Sequence, residues 1–248
     1  MEISNRFWNA SLEELKSGYI QERDSFTCLL CGEKIEKGMV YPYENRFYEA
    51  ERFMRIHIER THQSVFDYLL GMDKKLTGLT EHQKSLLALF YRGKNDKEIQ
   101  EALGIGSTST IRHHRFALKE KERQAKTFLA MMELLKEKDD HAPAFVPVHK
   151  TATMVDERYN MTEGEQEGII KQYFSEGSLT KFPPKEKQRL VILREISKAL
   201  QADYHYDERE LNQILKSYYE DYALIRRYLI EYGFLDRKPD GSMYWLKK

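Results

Sequence analysis

The chain has 248 residues, of which 32% are charged and 41% hydrophobic, and this suits two or three small domains with polar surfaces. Its 40 basic residues balance 40 acidic residues, so the global charge neither favours nor excludes nucleic acid as a partner. No run of 18 apolar residues occurs, and the first residues lack the basic start and apolar core of a secretory signal. We therefore expect no membrane span, no secretory signal and a cytoplasmic location.

Residues 1–75 contain both cysteines of the chain, and we predict that they form a small metal-binding domain. Cys28 and Cys31 are separated by two residues, and Gly32 follows them. A glycine at this position lets the backbone turn tightly, so that both thiolates face one ion. Two cysteines at this spacing cannot supply a disulfide framework, which leaves a metal half-site or a redox pair.

A pair of histidines supplies the other half of the predicted site. His57 and His62 follow a predicted helix over 48–56 and can converge on one ion if the last helical turn loosens. Two sulfur and two imidazole ligands suit tetrahedral zinc, and four protein ligands leave no open coordination position. We predict one structural zinc ion per chain, bound by Cys28, Cys31, His57 and His62.

The segment over 39–62 resembles a two-cysteine two-histidine zinc finger with a lengthened middle. One alternative is a free or redox-active cysteine pair with surface histidines. A nuclease of the His-Asn-His kind would need a further histidine and asparagine beside the metal, and none is apparent. Arg52, Arg55 and Arg60 either contact phosphates or form a solvated face, and we favour the solvated face.

Residues 76–138 carry no proline and are predicted to be almost continuously helical. Glycines over 93 and 104–106 divide the first part into three helices. The predicted starts of these helices are Thr80, Asn95 or Asp96, and Ser107 or Ser109.

The segment over 79–118 resembles the LuxR-type helix-turn-helix of bacterial response regulators. It contains the leading Leu-Thr pair, the glycine before the second helix, the Lys-Glu-Ile step over 97–99 and the Leu-Gly-Ile turn over 103–105. The third helix begins with Thr-Ile at 110–111, where the family has a Thr-Val-like start. The resemblance implies that this helix lies in the major groove of double-stranded DNA and that its N-terminal half reads bases.

The resemblance also implies which residues contact DNA: Lys97, Ser107, Thr108, Ser109, Thr110, Arg112, His113 and Arg115. Arg112 has the geometry to read a guanine edge. Ser107, Ser109 and Lys97 are expected to contact phosphates. The family usually has a different pair at His113-His114, and this departure affects the base preference.

The local charge favours DNA over the alternative of a helical protein-binding module. Residues 109–126 hold six basic and two acidic residues, a net charge of +4 within a neutral chain. The predicted helix continues past the usual end of the family and carries a broad apolar stripe, which consists of Phe128, Leu129, Met131, Met132, Leu134 and Leu135. We favour core packing for this stripe, with a homodimer through 116–138 as the alternative.

Residues 139–160 contain two prolines and no apolar periodicity, and we predict a linker or an ordered connector. Residues 161–248 follow as a last domain, with predicted helices over 162–174, 187–200, 208–219 and 221–232. A strand, a turn and a second strand come after them. Three helices followed by a hairpin are the outline of a winged helix.

The segment over 182–246 resembles a domain of unassigned function found at the C-terminus of many bacterial regulators. In a winged helix, Arg226 and Arg227 would lie on the recognition helix, and Arg237 and Lys238 in the wing. These four residues are a second candidate DNA contact. Because acidic residues flank the reading helix, a protein partner or an effector is an equal alternative.

The predicted fold class is mainly α, with a small zinc-knuckle domain, a tri-helical helix-turn-helix with a long helical extension, and a winged-helix-like α+β domain. The predicted function is a sequence-specific DNA-binding transcription regulator of bacteria, associated with the nucleoid. An enzyme would need a nucleophile with a base, an open metal site or a phosphate-binding loop, and we find none. The alternative is a nucleic-acid-associated adaptor whose C-terminal domain binds protein partners or an effector.

Overall fold

The structure is a computed structural model that describes residues 2–202 and 204–247. The described residues are mainly helical, with 54% in helices, as the sequence predicts. They form two compact units: a larger unit of Met1–Thr77 with Phe145–Lys248, and a central unit of Gly78–Ala144. Among the described helices, none combines the length and the apolarity that crossing a membrane requires.

The N-terminal part of the larger unit joins two small antiparallel sheets to a set of helices. Its elements are α1 (Glu2–Asn9), α2 (Leu12–Ser17), β1 (Tyr19–Gln21), β2 (Ser25–Cys28), β3 (Lys34–Glu36), β4 (Val40–Tyr43), β5 (Arg46–Glu49), α3 (Ala50–His62), α4 (Val65–Gly71) and α5 (Lys74–Thr77). Strands β1, β2 and β3 form one sheet in that order. The β4–β5 hairpin turns through Glu44 and Asn45, both left-handed, as a two-residue hairpin turn with the sheet's own twist requires.

The central unit is a three-helix arrangement around a very small core. Its helices are α6 (Glu81–Tyr91), α7 (Asp96–Leu103) and α8 (Thr108–Lys136). Leu86, Ile99 and Ile111 contribute one fully buried side chain from each helix. The helices begin at the N-caps Thr80, Asn95 and Ser107, each of which accepts a backbone N–H bond at the first turn. Gly104, in the left-handed region, ends α7 before the turn into α8.

The C-terminal part of the larger unit has the strand order of a winged helix. Its elements are a 3₁₀ turn (Glu157–Tyr159), α9 (Glu163–Tyr173), β6 (Phe174–Ser175), β7 (Ser178–Leu179), α10 (Glu186–Ser197), β8 (His205–Asp207), α11 (Glu208–Tyr218), α12 (Tyr222–Glu231), β9 (Leu235–Arg237) and β10 (Met243–Leu246). The sheet runs β8–β10–β9. Helices α11 and α12 pack on it, and α10 packs on α9 and α12. The sequence analysis predicted the three helices and the hairpin and missed β8.

The structure divides the predicted linker over 139–160 between the two units, and its second half is packed into the larger one. His149, Lys150, Ala152 and Tyr159 are all buried there. A side chain on Gly233 would collide with the carbonyl of Thr151, so the two segments meet at van der Waals distance only because this residue is glycine. This half of the segment is therefore an ordered connector.

The apolar stripe of α8 does not pack against a core. Every residue over 121–140 is exposed, and the apolar side chains retain large exposed fractions, from 38% for Met132 to 62% for Leu134. The favoured interpretation of this stripe as a core-packing face is therefore wrong for the described chain. The helix runs as one piece from the helix-turn-helix to its end at Lys136.

Candidate metal centre and nucleic-acid interface

A β-hairpin and a helix bring the four predicted metal ligands together. Cys28 ends β2 and Cys31 lies in the turn toward β3, where the N–H of Gly32 donates to the Cys28 carbonyl at 2.8 Å. His57 and His62 lie in the last turns of α3, and Gln63 follows with a left-handed backbone that ends the helix. The arrangement is a ββα unit with the β4–β5 hairpin inserted between the cysteines and the histidines.

The distances in this cluster suit a tetrahedral ion. The four ligand atoms lie within 4.8 Å of one another, and both cysteines are buried. Cys31 Sγ lies 3.2 Å from His57 Nε2, and Cys28 Sγ lies 3.7 Å from His62 Nε2. Metal–sulfur and metal–nitrogen bonds of about 2.3 and 2.0 Å at tetrahedral angles place such atoms roughly 3.5 Å apart. The residues therefore fit a metal of the zinc type, with no position left for water.

The surroundings of the cluster favour a thiolate. Hydrogen bonds from the Cys31 thiol and from the N–H groups of Leu30 and Cys31 lower the pKa of Cys28 to about 7, although burial opposes them. Sharing that proton raises the pKa of Cys31. A metal ion would take the place of the shared proton.

A helix N-terminus is a setting that activates a redox thiol. The cysteine pair lies in a hairpin turn instead.

The arginines near the cluster have different environments. Arg55 forms an ion pair with Glu51 at 2.6 Å, and the guanidinium of Arg60 lies 4.9 Å from the ring of Tyr43. Arg52 is exposed. The structure therefore places two of the three arginines in contacts within the domain.

The helix-turn-helix residues fall into two groups. Lys97, Ser109, Thr110, Arg112 and His113 are exposed. Ser107 and Thr108 are half-buried at the start of α8, where Ser107 Oγ caps the helix and contacts the hydroxyls of its neighbours. Arg112 has no ion pair with any carboxylate of the described residues.

Arg115 has an intramolecular role in the structure. Its guanidinium donates to Asp96 Oδ1 at 3.0 and 3.2 Å and lies 3.7 Å from the ring centre of Phe90. These contacts join α8 to α6 and to the start of α7. The side chain thus links the three helices, and 42% of it remains exposed.

The second candidate DNA contact is divided in the same way. Arg226 donates to Glu208 at 2.8 Å and to Asn212, and its side chain is only 20% exposed. Arg227, Arg237 and Lys238 are exposed. Of these four basic side chains, Arg226 is therefore held by contacts within the C-terminal part.

The sequence analysis missed three buried basic residues. His149, Lys150 and Arg194 are between 6% and 8% exposed in the larger unit. Two of them lie in the segment predicted as a linker, and Arg194 lies on the otherwise apolar face of α10. A basic residue at an apolar helical position was the available signal for Arg194.

Comparison with known proteins identifies the C-terminal part only. A family model described as an uncharacterised protein conserved in bacteria (DUF2087) matches residues 178–246, from β7 to the end of β10. No curated protein and no solved structure matches the chain significantly. The winged-helix part is thus similar to a bacterial family without an assigned function, as the sequence analysis expected.

Proposed function

We propose that the protein is a sequence-specific DNA-binding transcription regulator. The N-terminal half of α8 reads the major groove, and α7 lies across the backbone. The observation that supports this most strongly is the exposure of Arg112 near the start of α8, where it has no ion pair with a described carboxylate, within a stretch of net charge +4. A guanidinium held there can bond both acceptors of a guanine edge.

The zinc finger-like segment supplies a structural centre in this proposal. Zinc bound by Cys28, Cys31, His57 and His62 ties the β2–β3 hairpin to the end of α3. Four protein ligands close the coordination sphere, so the ion supplies folding free energy rather than catalysis. The proposal assigns no enzymatic step to the chain and places it on the nucleoid, bound to DNA.

A second copy of the chain is the proposed partner of the α8 stripe. All residues over 121–136 are exposed, and an isolated helix of this length is marginally stable in water. Phe128 and Leu135 lie on one face of it, seven residues apart, with Met131 and Met132 between them. Pairing with the same face of a second copy would cover the stripe and present two reading helices to paired half-sites.

Selection of bound fragments from a randomised DNA pool at near-physiological salt tests the reading function. We expect one motif to be enriched, and Arg112→Ala to weaken binding by about 1–3 kcal/mol while relaxing a single base position. Arg123→Ala is the matched control, because Arg123 pairs with Glu120 further along α8. Absence of any enriched motif would favour the adaptor alternative, in which nucleic-acid affinity is weak and indifferent to sequence.

Sedimentation of charge variants tests the homodimer separately. Leu135→Glu places a carboxylate in the stripe and should produce monomers. Ala130→Glu adds the same charge to the same helix, about 140° around from Leu135, and should leave the dimer intact. A wild-type protein that is monomeric at micromolar concentration would refute the pairing.

A further inference from the structure

A basic cavity lies in the larger unit, and the metal ligand Cys31 is part of its lining. It has a volume of about 320 Å³, at the lower end of the range of small-molecule sites. Four cationic side chains line it, and no aspartate or glutamate of the described chain does. These cations are Lys150, Arg194, Lys198 and Lys247.

The distinctive residue of this cavity is Arg194, because its charge is buried without a counter-ion among the described residues. The residue is 6% exposed and forms no ion pair with a carboxylate of the described residues. Among the described residues its guanidinium donates to the carbonyl of Pro147 at 2.8 Å, which uses one of five N–H donors. A buried cation is stable only when it is paired, so the remaining charge calls for an anion.

The other cations have different degrees of compensation. Lys198 pairs with Glu195 on the same helix, whereas Lys247 has no ion pair in the described part of the chain. Lys150 Nζ donates to the carbonyls of Leu29, at 3.0 Å, and Leu30. Those carbonyls lie between the two cysteines, so the metal knuckle holds the ammonium group at the edge of the cavity.

The other lining residues indicate the chemistry of the part of the ligand that carries no charge. Pro147, Leu200 and Leu246 supply apolar surface. Asn5 also lines the cavity, and its buried Oδ1 has no hydrogen-bond partner among the described residues. An apolar wall beside a guanidinium is suited to an organic molecule with one oxyanion group, and Asn5 Oδ1 can accept a hydrogen bond from an N–H or O–H group of that molecule.

We propose that this cavity binds a small organic anion, a carboxylate or a phosphate ester, through the guanidinium of Arg194. The guanidinium fork takes two oxygens of such a group, and Lys247 adds charge at the mouth. The proposal does not depend on DNA binding by the central unit, and its test contains no DNA.

Calorimetric titration of the zinc-loaded full chain tests it with four probes: phenyl phosphate, benzoate, benzyl alcohol and inorganic phosphate. We expect saturable one-to-one binding of phenyl phosphate or of benzoate, and the preferred probe identifies the oxyanion group. Neutral benzyl alcohol should bind at least about tenfold more weakly. Inorganic phosphate that binds as tightly as phenyl phosphate would overturn the assignment to an organic ligand.

Variants locate the binding. Arg194→Gln should weaken anion binding by about ten- to a hundredfold. Lys247→Gln should weaken it by a smaller factor, and because Lys247 is exposed this variant should fold normally. Lys238→Gln removes an exposed cation outside the cavity and should have no effect. Absence of anion binding up to about 10 mM would overturn the proposal. So would wild-type affinity in both Lys247→Gln and a folded Arg194→Gln.

Discussion

Acidification should destabilise the larger unit through a single buried histidine. His149 is 7% exposed, and its Nε2 donates to the carbonyl of Tyr232 at 3.0 Å while its ring stacks on Phe234. Burial, together with the charges of Arg194 and Lys247, lowers the pKa of His149 to about 4, against the hydrogen bond to Tyr232. The folded protein therefore holds His149 in its neutral form near neutral pH.

The size of the effect follows from the two pKa values. The unfolded chain binds the proton near pH 6.5 and the folded chain near pH 4, so stability is complete above pH 6.5 and falls as the pH drops toward 4. Between pH 8 and pH 5 the free energy of unfolding should fall by about 2 kcal/mol on account of this residue.

Urea denaturation followed by tryptophan fluorescence measures this, because both tryptophans, Trp8 and Trp245, lie in the larger unit. His149→Gln keeps a donor for the Tyr232 carbonyl and cannot ionise, so the variant should lose about 2 kcal/mol less than the wild type on acidification. The comparison cancels the titration of all other groups, including the metal ligands. His141→Gln, at an exposed position, should behave like the wild type. Equal losses in wild type and His149→Gln would refute the reasoning.

Two further predictions concern the metal and the central core. Cys31→Ser should abolish the binding of one zinc per chain, and chelation should increase hydrogen exchange over 25–70 while α6–α8 keep their protection; retention of zinc by the variant would exclude the assigned ligand set. Ile111→Ala should destabilise the central unit by about 2–5 kcal/mol, because that unit has only three fully buried apolar side chains. Hydrogen exchange over α6–α8 measures this loss, and the fluorescence of the larger unit should be unchanged in the variant.

The features predicted well from the sequence are those that short stretches of chain determine. The capping boxes at Thr80 and Asn95 and the Cys28–Cys31 spacing depend on residues two to four positions apart. The helix starts and the cysteine half of the metal cluster therefore followed from local chemistry. The histidine half of the cluster could be predicted once the helix that precedes His57 was recognised.

The features that were missed depend on distant partners. Lys150 bonds carbonyls about 120 residues earlier in the chain, and β8 pairs with β10 across two intervening helices. The periodicity of α8 gave an apolar stripe without indicating whether anything covers it. Local patterns carry no information on such pairings, and for this reason the sequence left a linker and an ordered connector over 139–160 as alternatives.

The order of the segments along the chain has a consequence for biosynthesis. The larger unit is interrupted by the central unit, so 67 residues separate its two parts at Thr77 and Phe145. During translation the central unit leaves the ribosome complete, before the C-terminal part of the larger unit exists. The carbonyls of Leu29 and Leu30 have no Lys150 to bond until residue 150 is synthesised, and the nascent N-terminal part depends on its own small core until the last strands are made. A stalled or truncated product would therefore carry a folded central unit next to an incomplete larger unit.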